Sequence, residues 1–573
     1  MSSKLAKWVS SVKPRLAPLF NQSGHTRHAA RILDVLFIVA LIFAGIRFLS
    51  HVEGTMDLRP ADETVYLQKG RDLFETGFVP PSFGPVYQIW YFLLSLVAPD
   101  PVDLYYLNYQ VLLVGFMVSF YFALRRYGVP SWIAFFPPLY FLYSRIPYIW
   151  PYQALFSAIL ILLAMGIAAS FRKPLHWITV LLGGTLLAAY VRPELAVAWL
   201  ALFGIALLLL GWRQIKKRPI PGSEWKPLAV VGATAAIFVL TLGSPIFNSG
   251  KERMFAAFSQ HYSLNVVEDS GEEINPWIHA EKIRSRDFPT ANSIGQCVSE
   301  NPSAFFWHIR ENVRKSLQEL GRLSKANKGF FDFPEVFGYK SATISSIVLL
   351  FGLAFFFTSK RVDQVNWHPP ALMLIALLLA VIPSVILVYP RQHYFICLWG
   401  VILLLPFLLF AQRELRPVSL AKRKNWIGAP LAIGLCSFPF LLPFREHGVL
   451  EKWEPDLVMA KTIRYIRDLE LAGEVNLLRS EAELEEYLGP NFEGFEPWGM
   501  DEGETFDEFM RENEINVVLK DTFLPTLSNL KDDPEFQAFL KNPESSGYLP
   551  MAIPYTDRSI FVEASLWQRS RAQ

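Results

Sequence analysis

The chain has 573 residues, of which 52% are hydrophobic and only 18% charged, whereas soluble domains are nearer a quarter charged. The apolar excess is gathered in long blocks, which excludes the interior of a single water-soluble globule. A net charge of +2 offers no case for a nucleic-acid partner, and the lack of CxxC, HExxH and GxxxxGK[ST] patterns excludes a built-in nucleotide-driven motor.

The chain opens on a basic leader with Lys4, Lys7, Lys13, Arg15, Arg27 and Arg31, followed by an apolar stretch from Ile32 to Leu49. That stretch is longer than a signal-peptide core and no A-x-A site follows it, so it reads as an uncleaved anchor. Taking about 20 apolar residues per crossing, spans are expected near 32–49, 103–124, 130–149, 153–170, 175–191, 195–212, 227–246, 341–358, 369–388, 394–411 and 427–444. Basic clusters at Arg125-Arg126, Arg172-Lys173, Arg213 with Lys216-Lys217-Arg218, Lys360-Arg361 and Arg413 through Lys424 then fall on the side of the leader. The positive-inside rule makes that side the cytoplasm. Val86 to Ala98 is apolar but too short to cross and would invert every later cluster, so it is assigned to the outer interface, where its aromatic residues are at home.

Three pieces remain outside: a first loop at about 50–102, a long loop at about 247–340 and a tail at about 445–573. The long loop contains a helical pattern from Pro302 to Leu320. In the tail, Val475–Leu478 and Ile515–Leu519 read as strands, and Ala482–Leu488 and Phe506–Asn513 as helices. The fold class is therefore an α-helical polytopic membrane protein of about 11 transmembrane helices with extracytoplasmic loop helices. Residues 1–444 form the membrane domain and 445–573 a small extracytoplasmic α/β domain. Cys397 and Cys436 fall in spans, and Cys297 faces outward with no partner, so no disulfide is expected.

Directly beyond the first span the loop reads Asp57-Leu-Arg-Pro-Ala-Asp62-Glu63-Thr-Val-Tyr66. A carboxylate held at a membrane surface between protein walls can serve as a general base; the competing reading is a solvated acidic loop. Tyr190-Val-Arg192-Pro193-Glu194 follows at the outer end of the fifth span, and Tyr389-Pro-Arg391-Gln-His393-Tyr394 lies between the ninth and tenth. Arginine at an outer span end is suited to a lipid phosphate, with a permanent charge and a fixed fork of donors. The competing reading is snorkelling or local pairing, with Glu194 the obvious partner of Arg192. His261 and His308 in the long loop have weaker claims. Trp277 and Trp307 suit either stacking on a sugar or anchoring at the interface.

This order of motifs resembles the C-type glycosyltransferases that use polyprenyl-phosphate sugars, above all the branch of protein O-mannosyltransferases and aminoarabinose transferases. The resemblance carries the basic leader, the Asp-Glu pair after span one, the GPVYQIWYFLLSL stretch, Arg-Pro-Glu at 192–194 and the Arg391 to Tyr394 segment, where Gln392 and His393 intervene between the expected Arg and Tyr. It implies an inverting transfer on the outer face of a bacterial inner membrane. Asp62 would be the base and Glu63 its companion, with Asp57 as the alternative base. Arg391 and Arg192 would hold the donor phosphate, with His393, Tyr394 and Glu194 around it. The implied partners are a polyprenyl-phosphate sugar, a glycan, lipid or protein acceptor, and the bilayer. No cofactor is expected; a divalent ion, as in the related oligosaccharyltransferases, is left open. A lipid-linked glycan polymerase or ligase and a lipid or sugar flippase are the rival functions. A flippase would place charges deep within spans, whereas here Asp34 and Arg47 lie near span ends.

Overall fold

The computed structural model describes residues 23–142, 149–217, 221–247, 249–272, 274–325, 367–408, 456–500, 503–527 and 529–572. Its principal helices, in chain order, are α1 (Ser23–Leu49), α2 (Asp62–Arg71), α3 (Pro85–Ser95), α4 (Pro101–Arg126), α5 (Ser131–Leu142), α6 (Gln153–Ala168), α7 (Pro174–Ala189), α8 (Ala196–Ile215), α9 (Gly222–Leu242), α10 (Ser249–Ser270), α11 (Pro302–Lys325), α12 (His368–Leu387) and α13 (Ile396–Phe407). Among the described residues, five helices are long and apolar enough to cross a membrane: those over Ile32–Gly54, Pro101–Arg126, Pro193–Ile215, Gly222–Leu242 and His368–Leu387. α6 and α7 are apolar but have only 16 residues each, about 24 Å of helix. α9 leaves Val230, Ile237 and Leu240 more than half exposed, an apolar face that water would penalise.

The structure departs from the expected spans in a few places. The expected crossing at 130–149 is described as helix only to Leu142, and the chain at 149–152 is irregular. The expected crossings at 341–358 and 427–444 lie outside the described residues. Charges within the helices are paired: Asp34 of α1 binds Arg125 of α4 at 2.6 Å, and Glu224 of α9 binds Arg213 at 2.5 Å and Lys173 at 3.1 Å. Pairing lets these groups sit within or beside apolar helices without an isolated charge.

The tail folds into α14 (Val458–Asp468), β1 (Val475–Leu478), β2 (Phe492–Phe495), α15 (Phe506–Glu512), β3 (Val517–Lys520), α16 (Pro534–Lys541), β4 (Tyr548–Ala552), β5 (Ser559–Glu563) and α17 (Ala564–Ala572). The expected strand at 515–519 thus begins two residues later. The expected helix at 482–488 is a short 3-10 turn, Leu484–Tyr487. The sheet order is β2-β1-β3-β5-β4, with β1 parallel to β2 and β3, and β5 antiparallel to β3 and β4. Side-chain alternation divides the sheet's two faces. Leu477, Val517, Leu519, Ile560 and Val562 join one apolar cluster with α14 residues Met459 and Ile463 and with the helical body. Leu478, Val518 and Phe561 join a second cluster with Phe506, Phe509, Phe536 and Phe539. The core therefore runs unbroken from α1 into the tail.

The tail also grips the first loop through polar contacts. Asp57 accepts from the amides of Met459 and Ala460, both at 2.8 Å, capping the open N-terminus of α14. Thr64 and Tyr487 share a hydrogen bond of 2.9 Å, Gln68 donates to Glu486, and Arg467 pairs with Asp100 at 2.9 Å.

Two glycines set how closely the first loop packs. A Cβ at Gly70 of α2 would lie 2.3 Å from the Tyr91 Cβ of α3, so only glycine allows this approach. Gly84 has φ +70° and lies against the chain before Arg192: a Cβ there would be 2.6 Å from the Val191 carbonyl oxygen. The Val86 amide donates to the Tyr190 carbonyl at 3.1 Å in the same contact. Gly84→Ala should lower stability by about 2–4 kcal/mol, from the left-handed backbone together with overpacking. Thermal unfolding in detergent checks this against Gly211→Ala, where added bulk meets nothing within 4 Å. Equal midpoints for the two variants would contradict the close contact.

Candidate functional site

The site is built at one end of the helical body, where α1 runs into the first loop, α7 ends at Tyr190 and α12 ends at Leu387. The first loop turns through Ala61, which has φ +80°, a conformation disfavoured for a residue with a Cβ. The turn starts α2 with Asp62 and Glu63 as its first two residues, and their side chains part company there.

Glu63 is fully buried. Its Oε1 accepts from the Tyr87 hydroxyl at 2.6 Å, the Tyr91 hydroxyl at 2.5 Å and the Asn108 amide at 3.0 Å, while Oε2 accepts from the Tyr152 backbone amide at 2.9 Å. One carboxyl thus ties α2 to α3, to α4 and to the segment before α6. Burial pushes it up to about 7 from an ordinary value of 4.5, outweighing the bonds from Tyr87, Tyr91 and Tyr152, with the Asp62 charge adding to the rise. A raised acid binds its proton more tightly in the folded state. Its contribution to stability is therefore complete below about 4.5 and is lost as pH climbs through about 7, by roughly 3 kcal/mol. Glu63→Gln should flatten that part of the pH dependence. The new amide NH2 facing the Tyr152 N–H should also lower stability at all pH values. Unfolding midpoints from about pH 5 to 8 check this; parallel profiles for wild type and variant would count against it.

Asp62 is exposed and neighbours Tyr66, one turn on along α2, and Arg253. The hydroxyl of Tyr66 accepts from an Arg253 Nη at 3.3 Å. Burial pushes the Tyr66 hydroxyl up, the Arg253 charge pulls it back and the Asp62 carboxylate pushes it up again. Arg253 comes from α10. It also donates to the Ser82 carbonyl and lies 4.5 Å over the Phe83 ring, which fixes it against the first loop.

Arg192 is 5% exposed. It pairs with Glu194, with Nε to Oε1 at 2.5 Å, and stacks 5.0 Å over the Tyr394 ring. The local pairing open from the sequence thus forms, yet it leaves one arm over: Nη1 is buried and has no hydrogen-bond partner among the described residues. Gln392–Phe395 is a 3-10 turn, and the His393 and Tyr394 rings are 4.5 Å apart. Arg391 forms no ion pair among the described residues and lies 4.9 Å over the Trp277 ring.

His261 of α10 stands behind Arg391, its ring 5.2 Å from Trp277 and 5.3 Å from Tyr389. Nδ1 is 2.6 Å from the Ala257 carbonyl, which assigns the proton to Nδ1 and leaves buried Nε2 as an acceptor without a partner among the described residues. Burial first, then the Arg391 charge, pushes His261 down to about 3, so it is neutral across the physiological range. His308 is bound differently, in a buried network with Asn265 and the Leu387 carbonyl, and Trp307 packs edge-on to Tyr262.

Asp57, Asp62 and Glu63 do not converge: one caps α14, one is exposed and one is enclosed by tyrosines. Among the described residues no group of three His, Cys, Asp or Glu side chains is arranged to hold a metal ion. The structure does bring together Arg192, Glu194, Arg391, His393 and Tyr394, while Asp62 lies beside Tyr66 and Arg253. The charges of Arg192, Arg391, Arg253 and Glu194 all act on the Tyr394 hydroxyl, as does its burial. Sequence reasoning missed Arg253 and gave Tyr66 no role. Arg253 lies in an ordinary polar helix start, Lys251-Glu252-Arg253, and nothing in its spacing marks it.

No protein-family model matches this chain, and no curated protein matches it either.

Proposed function

We propose that this protein is an inverting glycosyltransferase that moves a sugar from a polyprenyl phosphate to an acceptor hydroxyl. In this reading the chain crosses a bacterial inner membrane eleven times, its basic leader is cytoplasmic, and the site and tail lie on the outer face. The supporting observation is that three motifs, far apart in the chain, place groups of mixed charge near Tyr66 and Tyr394. Arg253 binds Tyr66 one turn from the exposed Asp62, Arg192 stacks on Tyr394, and Arg192 keeps a buried donor with no partner among the described residues.

The reaction follows from that charge pattern. The acceptor oxygen bonds to the anomeric carbon while the bond from that carbon to the phosphate oxygen breaks, and its electron pair stays on the phosphate. The acceptor proton passes to the Asp62 carboxylate. The lipid phosphodiester leaves as a monoester, and the negative charge it gains is met by Arg391 and the open arm of Arg192. Glu63 sets the start of α2 and so aims Asp62, and it never meets the substrate. Asp57 is committed to α14, which favours Asp62 as the base.

The test is transfer by the purified full chain from polyprenyl-phosphate hexoses and pentoses to hydroxyl acceptors. The expected result is a glycosylated acceptor and free polyprenyl phosphate in equal amounts. Movement of the intact lipid across vesicles with no transfer would overturn the reading in favour of a flippase.

A further inference from the structure

A cleft of about 450 Å³ opens between Glu272 and residues 274–279 of the long loop on one side and the tail on the other. That volume is within the range of about 300–1,000 Å³ typical of small-molecule sites. Trp277, Trp498 and Phe523 supply aromatic surface, and Asn275, Asn529 and Lys531 supply polar groups. Trp277 and Phe523 are each 40% exposed and belong to none of the apolar clusters, so packing does not account for them. The two walls are joined: Ile278 packs into the tail's second core cluster beside Trp498 and Met500. The rings are also held in place, Trp498 by its indole N–H donating to Glu496 at 2.6 Å, Trp277 by Arg391 at 4.9 Å and the edge of His261 at 5.2 Å.

The chemistry of the lining selects the occupant. Asn275 uses its carbonyl oxygen on the Trp277 amide at 2.9 Å and keeps its NH2 to donate. Asn529 donates to the Pro497 carbonyl at 2.7 Å and keeps an oxygen to accept. Glu272 is paired with Arg286 at 2.8 Å, and Lys531 brings a positive charge. An acyl chain would strip water from these polar groups without replacing it. Flat aromatic surface beside amide donors and acceptors matches a saccharide, which has apolar C–H faces and a rim of hydroxyls.

We propose that this cleft binds a saccharide, and that this saccharide is the acceptor. The second part rests on the transferase reading, because Trp277 is shared between the cleft and Arg391; the first part does not. The test is saturation-transfer NMR on the full chain in detergent with chitotriose, cellotriose, mannotriose and galactotriose. At least one should bind, and Trp277→Ala and Phe523→Ala should each weaken it about tenfold, as for a buried aromatic anchor, with unfolding midpoints near wild type. Binding by none of the four, or equal binding in both variants, would overturn the cleft. Saccharide binding without sugar transfer by the wild type would keep the cleft and remove the transferase reading. Transfer that is indifferent to both variants would overturn the acceptor assignment and keep the transferase reading.

Discussion

Asp62→Asn should reduce turnover by about 10²–10⁴-fold, the range a positioned carboxylate supplies by accepting a proton in the transition state. Asparagine keeps the size and one acceptor oxygen but cannot take the proton. Asp62 is exposed and its carboxylate ties no two elements together among the described residues, so the variant should fold, insert and bind donor as the wild type does. The two neighbouring acids provide the controls. Asp57→Asn weakens the cap on α14 and should lower stability by about 1 kcal/mol with turnover nearly intact. Glu63→Gln should alter the pH profile of unfolding more than the chemical step. Turnover and donor binding are measured together for all three. Full turnover by the Asp62 variant would refute its role, and loss confined to the Asp57 variant would move the base there.

Arg391→Ala should weaken donor binding by about 10- to 100-fold, the equivalent of a charged hydrogen bond worth ~1.5–3 kcal/mol. Arg391 is the cleaner of the two phosphate candidates. Removing Arg192 would leave the Glu194 carboxylate without its partner, and folding and binding would then fail together. Arg391 has no ion pair among the described residues, and its contact is the Trp277 ring, so its loss leaves no charge stranded. Arg391→Lys keeps the charge but loses the fork and most of the stacking, so it should fall between wild type and Ala. Titration with polyprenyl phosphate and with the full donor reads the effect. Unchanged affinity in the Ala variant would make Arg391 a structural support for Trp277.

Much of the helical layout was legible because runs of about 20 apolar residues mark long apolar helices in the sequence itself. The strand at Val475–Leu478 and the helix from Phe506 were legible for a related reason, since periodicity reports which face of an element is buried. The Asp-Glu pair, the Arg-Pro-Glu segment and the Arg391 segment could each be found as local strings. Their division of labour could not. Asp62 and Glu63 are adjacent in sequence, yet a helical turn of 100° per residue sends one outward and the other into a cage of Tyr87, Tyr91 and Asn108. That cage comes from helices α3 and α4, and the approach of α3 to α2 depends on a glycine at 70. Asp57 looked like a second base until α14, some 400 residues later, placed its free amides on it. Arg253 carries no local signal because its role arises only where α10 meets Tyr66 and Ser82. The sequence by itself determined the apolar helices and the kinds of charge at their ends, since solvent acts on each segment alone. Which acid is free, which arginine keeps an open arm and which tryptophan faces a cleft were decided by tertiary structure, because burial and pairing are properties of neighbours brought from distant parts of the chain.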